Sequence, residues 1–269
     1  MTMTTATRRP AVAGLFYPDD AEALAAEVKG LLDGVQPAAD AGVVTRRPRA
    51  LIVPHAGYRY SGPVAASAYA SLTPFAPEIS RVVLLGPAHR VYLQGMAVPS
   101  DAVFRTPLGD VPVDVDLVER VARLPGVAVG DEPHAREHSL EVQLPFLQVV
   151  LGKFSIVPIV VGNCAGEEVT QVLEALCDVP ETLFVISSDL SHYLPFDAAR
   201  ALDAETSRAI VACRGDITPD EACGAHAVNG LLRFAGTHHL QCLQLDVRNS
   251  GDIAGDRSQV VGYGAYAFS

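Results

Sequence analysis

The chain has 269 residues, 49% of them apolar, and 20 Lys and Arg against 31 Asp and Glu give it a net charge of −11. That length supports a substantial core, and the acidic balance disfavours nonspecific attraction to nucleic acid or to anionic membrane. No segment reaches the roughly 18 uninterrupted apolar residues of a spanning helix, the start lacks the apolar stretch of a signal peptide, and the cysteines (Cys164, Cys177, Cys213, Cys223, Cys242) are scattered with no Cys-x-x-Cys pair. A cytoplasmic protein with free thiols is therefore expected, without a disulfide framework or a thiolate zinc site.

Residues 1–18 read as an irregular segment whose second half, Arg-Pro-Ala-Val-Ala-Gly-Leu-Phe-Tyr-Pro at 9–18, is too apolar to be a free tail. Asp19 or Asp20 caps a helix carrying Leu24, Val28 and Leu31 at helical spacing until Gly34, and residues 36–48 form a polar loop. Arg49 to Val53 is a short buried strand; Pro54 stops it and His55 sits at the turn. A small-residue helix over Val64–Leu72 makes the crossover to a second buried strand, Arg81–Gly86, whose end carries Pro87, Ala88 and His89. Between Gly95 and Asp114 a small antiparallel addition is expected, after which Asp114 or Asp116 caps a helix through Val118 and Val121. Ser139 starts a helix with Leu140, Leu144, Leu147 and Leu151 on one face, which Pro145 kinks or confines to its later turns.

A strand at 154–161, a helix at 169–176 and a strand at Thr182–Ser188 follow, the last ending in Ser188-Asp189-Leu190-Ser191-His192. Helices over 198–213 and through Val228–Ala235, and strands near 240–247 and 260–268, complete the chain. This alternation predicts an α/β fold, a mostly parallel central sheet with helices on both faces, in a single domain over 1–269.

If the strands ending at His55, His89 and Asp189 are parallel neighbours, their loops meet at one edge of the sheet, where open α/β sheets place ligand sites. His55 and His89 are then the leading metal-ligand pair, with plain hydrogen-bonded loop histidines as the alternative. Asp189 and His192, three residues apart, face one way if their segment turns helically; the carboxylate can complete a metal site and His192 can serve as general base. Glu137, His138 and Glu141 read equally as partners that fix an imidazole tautomer or as a solvated charged turn. Cys223 and His226 bring a thiol and an imidazole close together, and with no third orienting group a structural role is favoured. His138, Glu141, Cys223 and His226 are placed around the ligands, while His134, His238 and His239 read as surface residues.

Several stretches, in this order, resemble the Memo family, whose bacterial and archaeal members are called AmmeMemoRadiSam system protein B. They are residues 9–18, Pro-His-Ala-Gly-Tyr-Arg-Tyr-Ser-Gly at 54–62, Gly-Pro-Ala-His at 86–89, Thr-Pro-Leu-Gly at 106–109, Glu-His-Ser-Leu-Glu-Val-Gln-Leu-Pro-Phe at 137–146, Ser-Ser-Asp-Leu-Ser-His at 187–192, Cys223-Gly224 and Val-Val-Gly-Tyr at 260–263. The resemblance spans nearly the whole chain and implies a fold similar to class III extradiol ring-cleavage dioxygenases, non-haem iron enzymes with a metal pocket. It places His55 and His89 as metal ligands with Asp189 and His192 as catalytic groups. In animal Memo proteins a cysteine near the C-terminus completes the site; the stretch taken to correspond, 249–255, has none, and Cys242 lies too early. Asp252 is expected to substitute as an oxygen ligand, which favours Fe(II), with copper or zinc as alternatives.

The family's roles include metal-dependent redox chemistry, phosphopeptide binding, and association with a radical-SAM protein and a small partner protein. A metal-binding, dioxygenase-like oxidoreductase acting on a small molecule is expected. The alternatives are a non-catalytic module that binds a peptide or small molecule, and a metal-binding redox-protection protein.

Overall fold

The computed structural model describes residues 4–35 and 44–269, so the first residues of the chain and most of the expected 36–48 loop lie outside the described residues. In chain order the elements are β1 (Thr4–Arg8), α1 (Ala21–Asp33), β2 (Ala50–Val53), α2 (Tyr58–Ala70), β3 (Arg81–Pro87), β4 (Met96–Val98), β5 (Asp101–Thr106), β6 (Gly109–Pro112), α3 (Val115–Val121), β7 (Val127–Val129), α4 (Glu132–Ala135), α5 (Leu144–Leu151), β8 (Ser155–Val161), α6 (Gly166–Leu176), β9 (Thr182–Ser187), β10 (His192–Leu194), α7 (Phe196–Val211), α8 (Ala225–Thr237), β11 (Cys242–Asn249), α9 (Ser250–Ala254) and β12 (Val260–Phe268). Local chemistry sets several boundaries. Asp20 and Asp114 cap α1 and α3 through their side chains, and Pro145 falls in the first turn of α5, behind a tight 3-10 turn at Glu141–Gln143.

The main sheet is mixed, which corrects the expectation of a mostly parallel one. Its four central strands, in the order β2-β9-β3-β8, are parallel, and every residue of β2 and β9 is buried. Around them β12 pairs antiparallel with β2, β10 and β11 pair antiparallel with β12, and β4 pairs antiparallel with β8 while taking β7 in parallel. Hydrophobic runs report burial but carry no strand direction. The link from β11 to β12 holds only α9 and a turn, too short for a parallel crossover. The crossovers β2-α2-β3 and β8-α6-β9 run in opposite directions across the sheet, so the right-handed rule puts α2 and α6 on opposite faces. The first packs with α1 and α5, the second with α3 and α8.

Of the expected antiparallel addition, β5 and β6 pair antiparallel and form a separate three-stranded sheet with β1, which runs parallel to β5, while β4 joins the main sheet. Arg8, at the end of β1, is buried and fixes the segment that follows. It pairs with the Glu141 carboxylate and donates to the backbone oxygens of His134 (3.1 Å) and Glu137 (2.5 Å). Glu141 also accepts from the backbone N–H groups of Ala11 (2.7 Å) and Val12 (3.0 Å) and from the Tyr17 hydroxyl (2.5 Å). Residues 9–17 are thereby strapped across the carboxyl ends of the central strands, with the backbone N–H of Tyr58 donating to the Phe16 carbonyl (2.8 Å).

Candidate metal centre

The carboxyl ends of β2, β3 and β9 present His55, His89 and Asp189, and the loop before α5 adds His138 from the side. Ligand atoms of His55, His89 and His138 all lie within 4.8 Å of one another, and the rings of His89 and His138 stack nearly parallel with centroids 4.7 Å apart. Two glycines permit this convergence. A Cβ on Gly86 would meet Ser139 Oγ at 2.8 Å, and one on Gly224 would meet the Ser188 Cβ at 2.7 Å. Any larger residue would push the His138 loop or the Cys223 loop away from the strand ends.

The hydrogen bonds fix which imidazole nitrogen is free. Ser187 Oγ donates its only proton to the Ser139 carbonyl (2.6 Å) and accepts from Gln143 Nε2 (2.8 Å), so towards His55 Nδ1 (2.8 Å) it can only accept. His55 therefore carries its proton on Nδ1 and turns a lone pair outward from Nε2. Gln143 is held in turn, donating to the Pro54 carbonyl (3.0 Å) and accepting from the Tyr69 hydroxyl (2.7 Å). His89 Nδ1 donates to Glu137 Oε1 (3.0 Å), which leaves its Nε2 free in the same way. Glu137 also accepts from the backbone N–H groups of His89 (2.6 Å), His138 (2.8 Å) and Ser139 (2.9 Å). A carboxylate behind an imidazole is the usual support of a metal-binding histidine. His138 Nδ1 is buried, 3.3 Å from Glu137 Oε1, and has no hydrogen-bond partner among the described residues.

Electrostatics keeps these groups in the protonation state that binds a cation. Burial, with His89 and His138 nearby, holds His55 well below the ordinary imidazole range, and burial, with His89 and Arg90 nearby, holds His138 at about 4. Burial would raise Glu137, but the His89 hydrogen bond and charge and the backbone donors outweigh it and hold the carboxyl at about 2. The centre is thus three imidazoles, two of them held neutral, beside one firmly ionised carboxylate. Ligand atoms around one ion at about 2.1 Å stand roughly 3–4 Å apart, so the cluster fits a metal with small side-chain adjustments.

A thiol joins them. Cys223 Sγ is 3.3 Å from His55 Nε2, and burial followed by the Asp189 charge pushes it far above the ordinary thiol range, so it is protonated where no cation sits beside it. Asp189 accepts from the His55 backbone N–H through Oδ1 (2.7 Å), with Oδ2 4.0 Å from His55 Nε2, and burial raises it to about 7. His192 is half-buried and lowered by burial, and it lines the same cleft of about 530 Å³. Leu15, Phe16, Tyr60 and Tyr193 supply apolar wall, with Leu15 80% and Tyr193 68% exposed at the rim.

Several residues sit elsewhere than the sequence suggests. Asp252 is not in the cluster: it stands in the first turn of α9, where Oδ2 accepts from the Asn249 backbone N–H (3.1 Å) in a capping box, and linear position near the C-terminus is no guide to that. The cysteine that reaches the site is Cys223, which enters through the loop before α8, so the site does not lack one. Glu141 faces away from the imidazoles and clamps the 9–17 segment, because the backbone tightens to a 3-10 turn and His138 and Glu141 do not share a helical face. His226 lies in the first turn of α8, outside the cluster. Asp189 and His192 are not on a helical turn either, since His192 opens β10 against β12; the two side chains still reach one cleft. His134 is 1% exposed rather than on the surface, its Nε2 3.1 Å from the Ala97 carbonyl. All five cysteines are unpaired, and no helix among the described residues is long and apolar enough to cross a membrane.

Residues 8–267 match the profile of the Memo-like protein family. The chain is 37% identical to a MEMO1 family protein of Methanopyrus kandleri over 97% of this chain and 98% of that one, and 38% identical to one of Aquifex aeolicus over 95% and 97%. It belongs to the Memo-like family. A counterpart from Archaeoglobus fulgidus is 35% identical over 97% and 99% of the two chains. The crystal structure of uncharacterized protein JW3007 from Escherichia coli K12 shares the fold, with a TM-score of 0.55 at 15% identity, covering 82% of this chain and 99% of that one. Within the Memo-like chain described here, the stretches at 54–62, 86–89, 137–146, 187–192 and 223–224 are those that build the imidazole cluster and its supports.

Proposed function

We propose that this Memo-like chain holds one redox-active metal ion, iron in the first instance, and acts as a dioxygenase-like oxidoreductase on a small phenolic molecule. The observation that carries the reading is the set of His55, His89 and His138, with tautomers of the first two fixed by Ser187 and Glu137 so that both Nε2 lone pairs face one cleft. These three residues would hold the ion, with Cys223 beside His55 as a further donor. A bound iron would supply electron transfer and an acidic binding position for a hydroxyl oxygen. His192, lowered by burial and on the cleft wall, takes the substrate's hydroxyl proton as general base. Asp189, raised to about 7, holds or releases a proton next to His55 near neutral pH. Phe16, Tyr60 and Tyr193 offer aromatic faces to a ring and exclude water from it.

With Asp252 outside the cluster, preference for iron no longer rests on a hard oxygen ligand. Imidazoles suit iron, copper and zinc alike, and a thiol 3.3 Å from His55 Nε2 favours the softer ions, which supports a second reading as a metal-holding redox-protection protein. Metal analysis after anaerobic purification, followed by O₂ uptake with a panel of catechols, separates the two. Stoichiometric iron with catechol-dependent uptake supports the enzyme; tightly held copper with no uptake supports protection.

A further inference from the structure

A cavity of about 800 Å³ adjoins the metal cleft and shares Leu15, Phe16 and Arg90 with it. Arg9 and Arg136 line it with Arg90. In a chain of net charge −11, three exposed arginines line this one cavity and none of them is paired with a carboxylate. Arg81, Arg105 and Arg120 pair with Asp114, Asp110 and Asp178, while other exposed arginines such as Arg123 and Arg214 have no ion pair among the described residues, so what sets Arg9, Arg90 and Arg136 apart is the one cavity they share. Among the described residues the guanidinium groups of Arg9, Arg90 and Arg136 have no hydrogen bond or ion pair, whereas the fourth arginine on the wall, Arg8, is spent on Glu141.

Neither carboxylate of the cavity pairs with them. Asp131 is committed to the backbone N–H groups of Ser100 (2.7 Å) and Asp101 (3.2 Å) and to the Ser100 hydroxyl (2.6 Å), and burial, followed by the Asp131 charge, raises Asp101 above the ordinary carboxylate range. Arg90 follows His89 directly and lines both the cavity and the metal cleft, so the positive cavity runs up to the cleft itself. Phe16 divides the two spaces, its ring 4.8 Å from that of His138.

We propose that this cavity is an anion-recognition subsite, with Arg9, Arg90 and Arg136 binding a carboxylate or phosphate group carried by the small molecule whose other end enters the imidazole cleft. The coordinating end rests on the metal-centre reading above; the anionic end does not. Guanidinium groups are suited to both acids because their paired N–H donors match two oxygens at once. The ligand is therefore elongated, a ring past Phe16 with an acidic arm, rather than a neutral phenol.

The test uses Arg9→Gln/Arg136→Gln, which leaves Arg90 next to His89 in place, and isothermal titration calorimetry under anaerobic conditions. Inorganic phosphate, as the bare anion, should bind wild type and metal-free His55→Ala equally, and the double variant at least about 10-fold more weakly. On metal-loaded wild type, 3,4-dihydroxyphenylacetate should bind about 10-fold more tightly than 4-methylcatechol, a difference lost in the double variant while its metal content stays at the wild-type level. Phosphate binding without the carboxylate preference assigns the anion to a phosphate monoester, and the preference without phosphate binding assigns it to a carboxylic acid. Equal behaviour of wild type and double variant with both probes overturns the proposal. A wild type that retains no metal yet keeps the arginine-dependent phosphate response defeats the metal-centre reading and leaves the subsite standing.

Discussion

Replacing Glu137 with Gln keeps the shape of the side chain and removes its charge. The carboxylate accepts four hydrogen bonds, from His89 Nδ1 and from the backbone N–H groups of His89, His138 and Ser139. An amide has only one oxygen, so its NH₂ must face at least one of these donors. Turned towards the His89 backbone, it loses the 2.6 Å bond and sets two donors against each other. Losing one hydrogen bond to a charged group costs about 1.5–3 kcal/mol. The hold on the ionised carboxyl, from 4.5 down to about 2, corresponds to a similar ~3 kcal/mol. Metal affinity should fall by about 10-fold to 100-fold, since His89 loses the partner that fixes its tautomer. The assay pairs thermal unfolding of metal-free protein with competitive metal titration against a chelator. Wild-type stability and affinity in the variant would refute the reasoning from Glu137 to His89.

His192→Ala should keep its metal and, in the enzyme, lower turnover by roughly 10²-fold to 10⁴-fold, as measured by O₂ uptake. Breaking the buried pair by Arg8→Ala should destabilise the protein by about 3–5 kcal/mol in urea unfolding, because Glu141 is left as an uncompensated buried charge. His134 gives a pH dependence. Burial lowers it from 6.5 to about 4, so the unfolded chain takes up a proton below 6.5 that the folded one refuses until about 4. Its share of stability is intact above pH 6.5 and falls by about 3 kcal/mol as the pH drops to 4, and His134→Asn should flatten the stability profile across that window. Thiol titration of protein purified without oxidant, then unfolded with no reductant added, should count all five cysteines, and a count of three or fewer would contradict the unpaired state.

The parallel heart of the sheet is legible in the sequence because Arg81–Gly86 and Thr182–Ser188 are continuous apolar runs, each followed by polar residues at a strand end. His55 and His89 stand out for the same reason, since each follows such a run within a few residues. Strand direction at the flanks is not legible, because burial patterns are the same for parallel and antiparallel neighbours. His138 and Cys223 reach the cluster from loops that approach only where Gly86 and Gly224 leave room, and a close approach between distant segments leaves little local trace. The glycine after Cys223 is the available signal. Asp252 misleads for the opposite reason: a carboxylate in the right region of the sequence is used up in capping its own helix. His134 shows that a histidine in a polar stretch can still be core when a backbone carbonyl, here that of Ala97, accepts a hydrogen bond from its ring N–H.

Metal content per chain, measured on anaerobically purified wild type, His55→Ala, His89→Ala, His138→Ala and Asp252→Ala, tests the central claim most directly. Wild type and Asp252→Ala should each carry close to one equivalent of the same ion, and the three histidine variants almost none, since the loss of one imidazole leaves too few donors to compete with buffer. Metal retained in His138→Ala and lost in Asp252→Ala would contradict the three-imidazole centre.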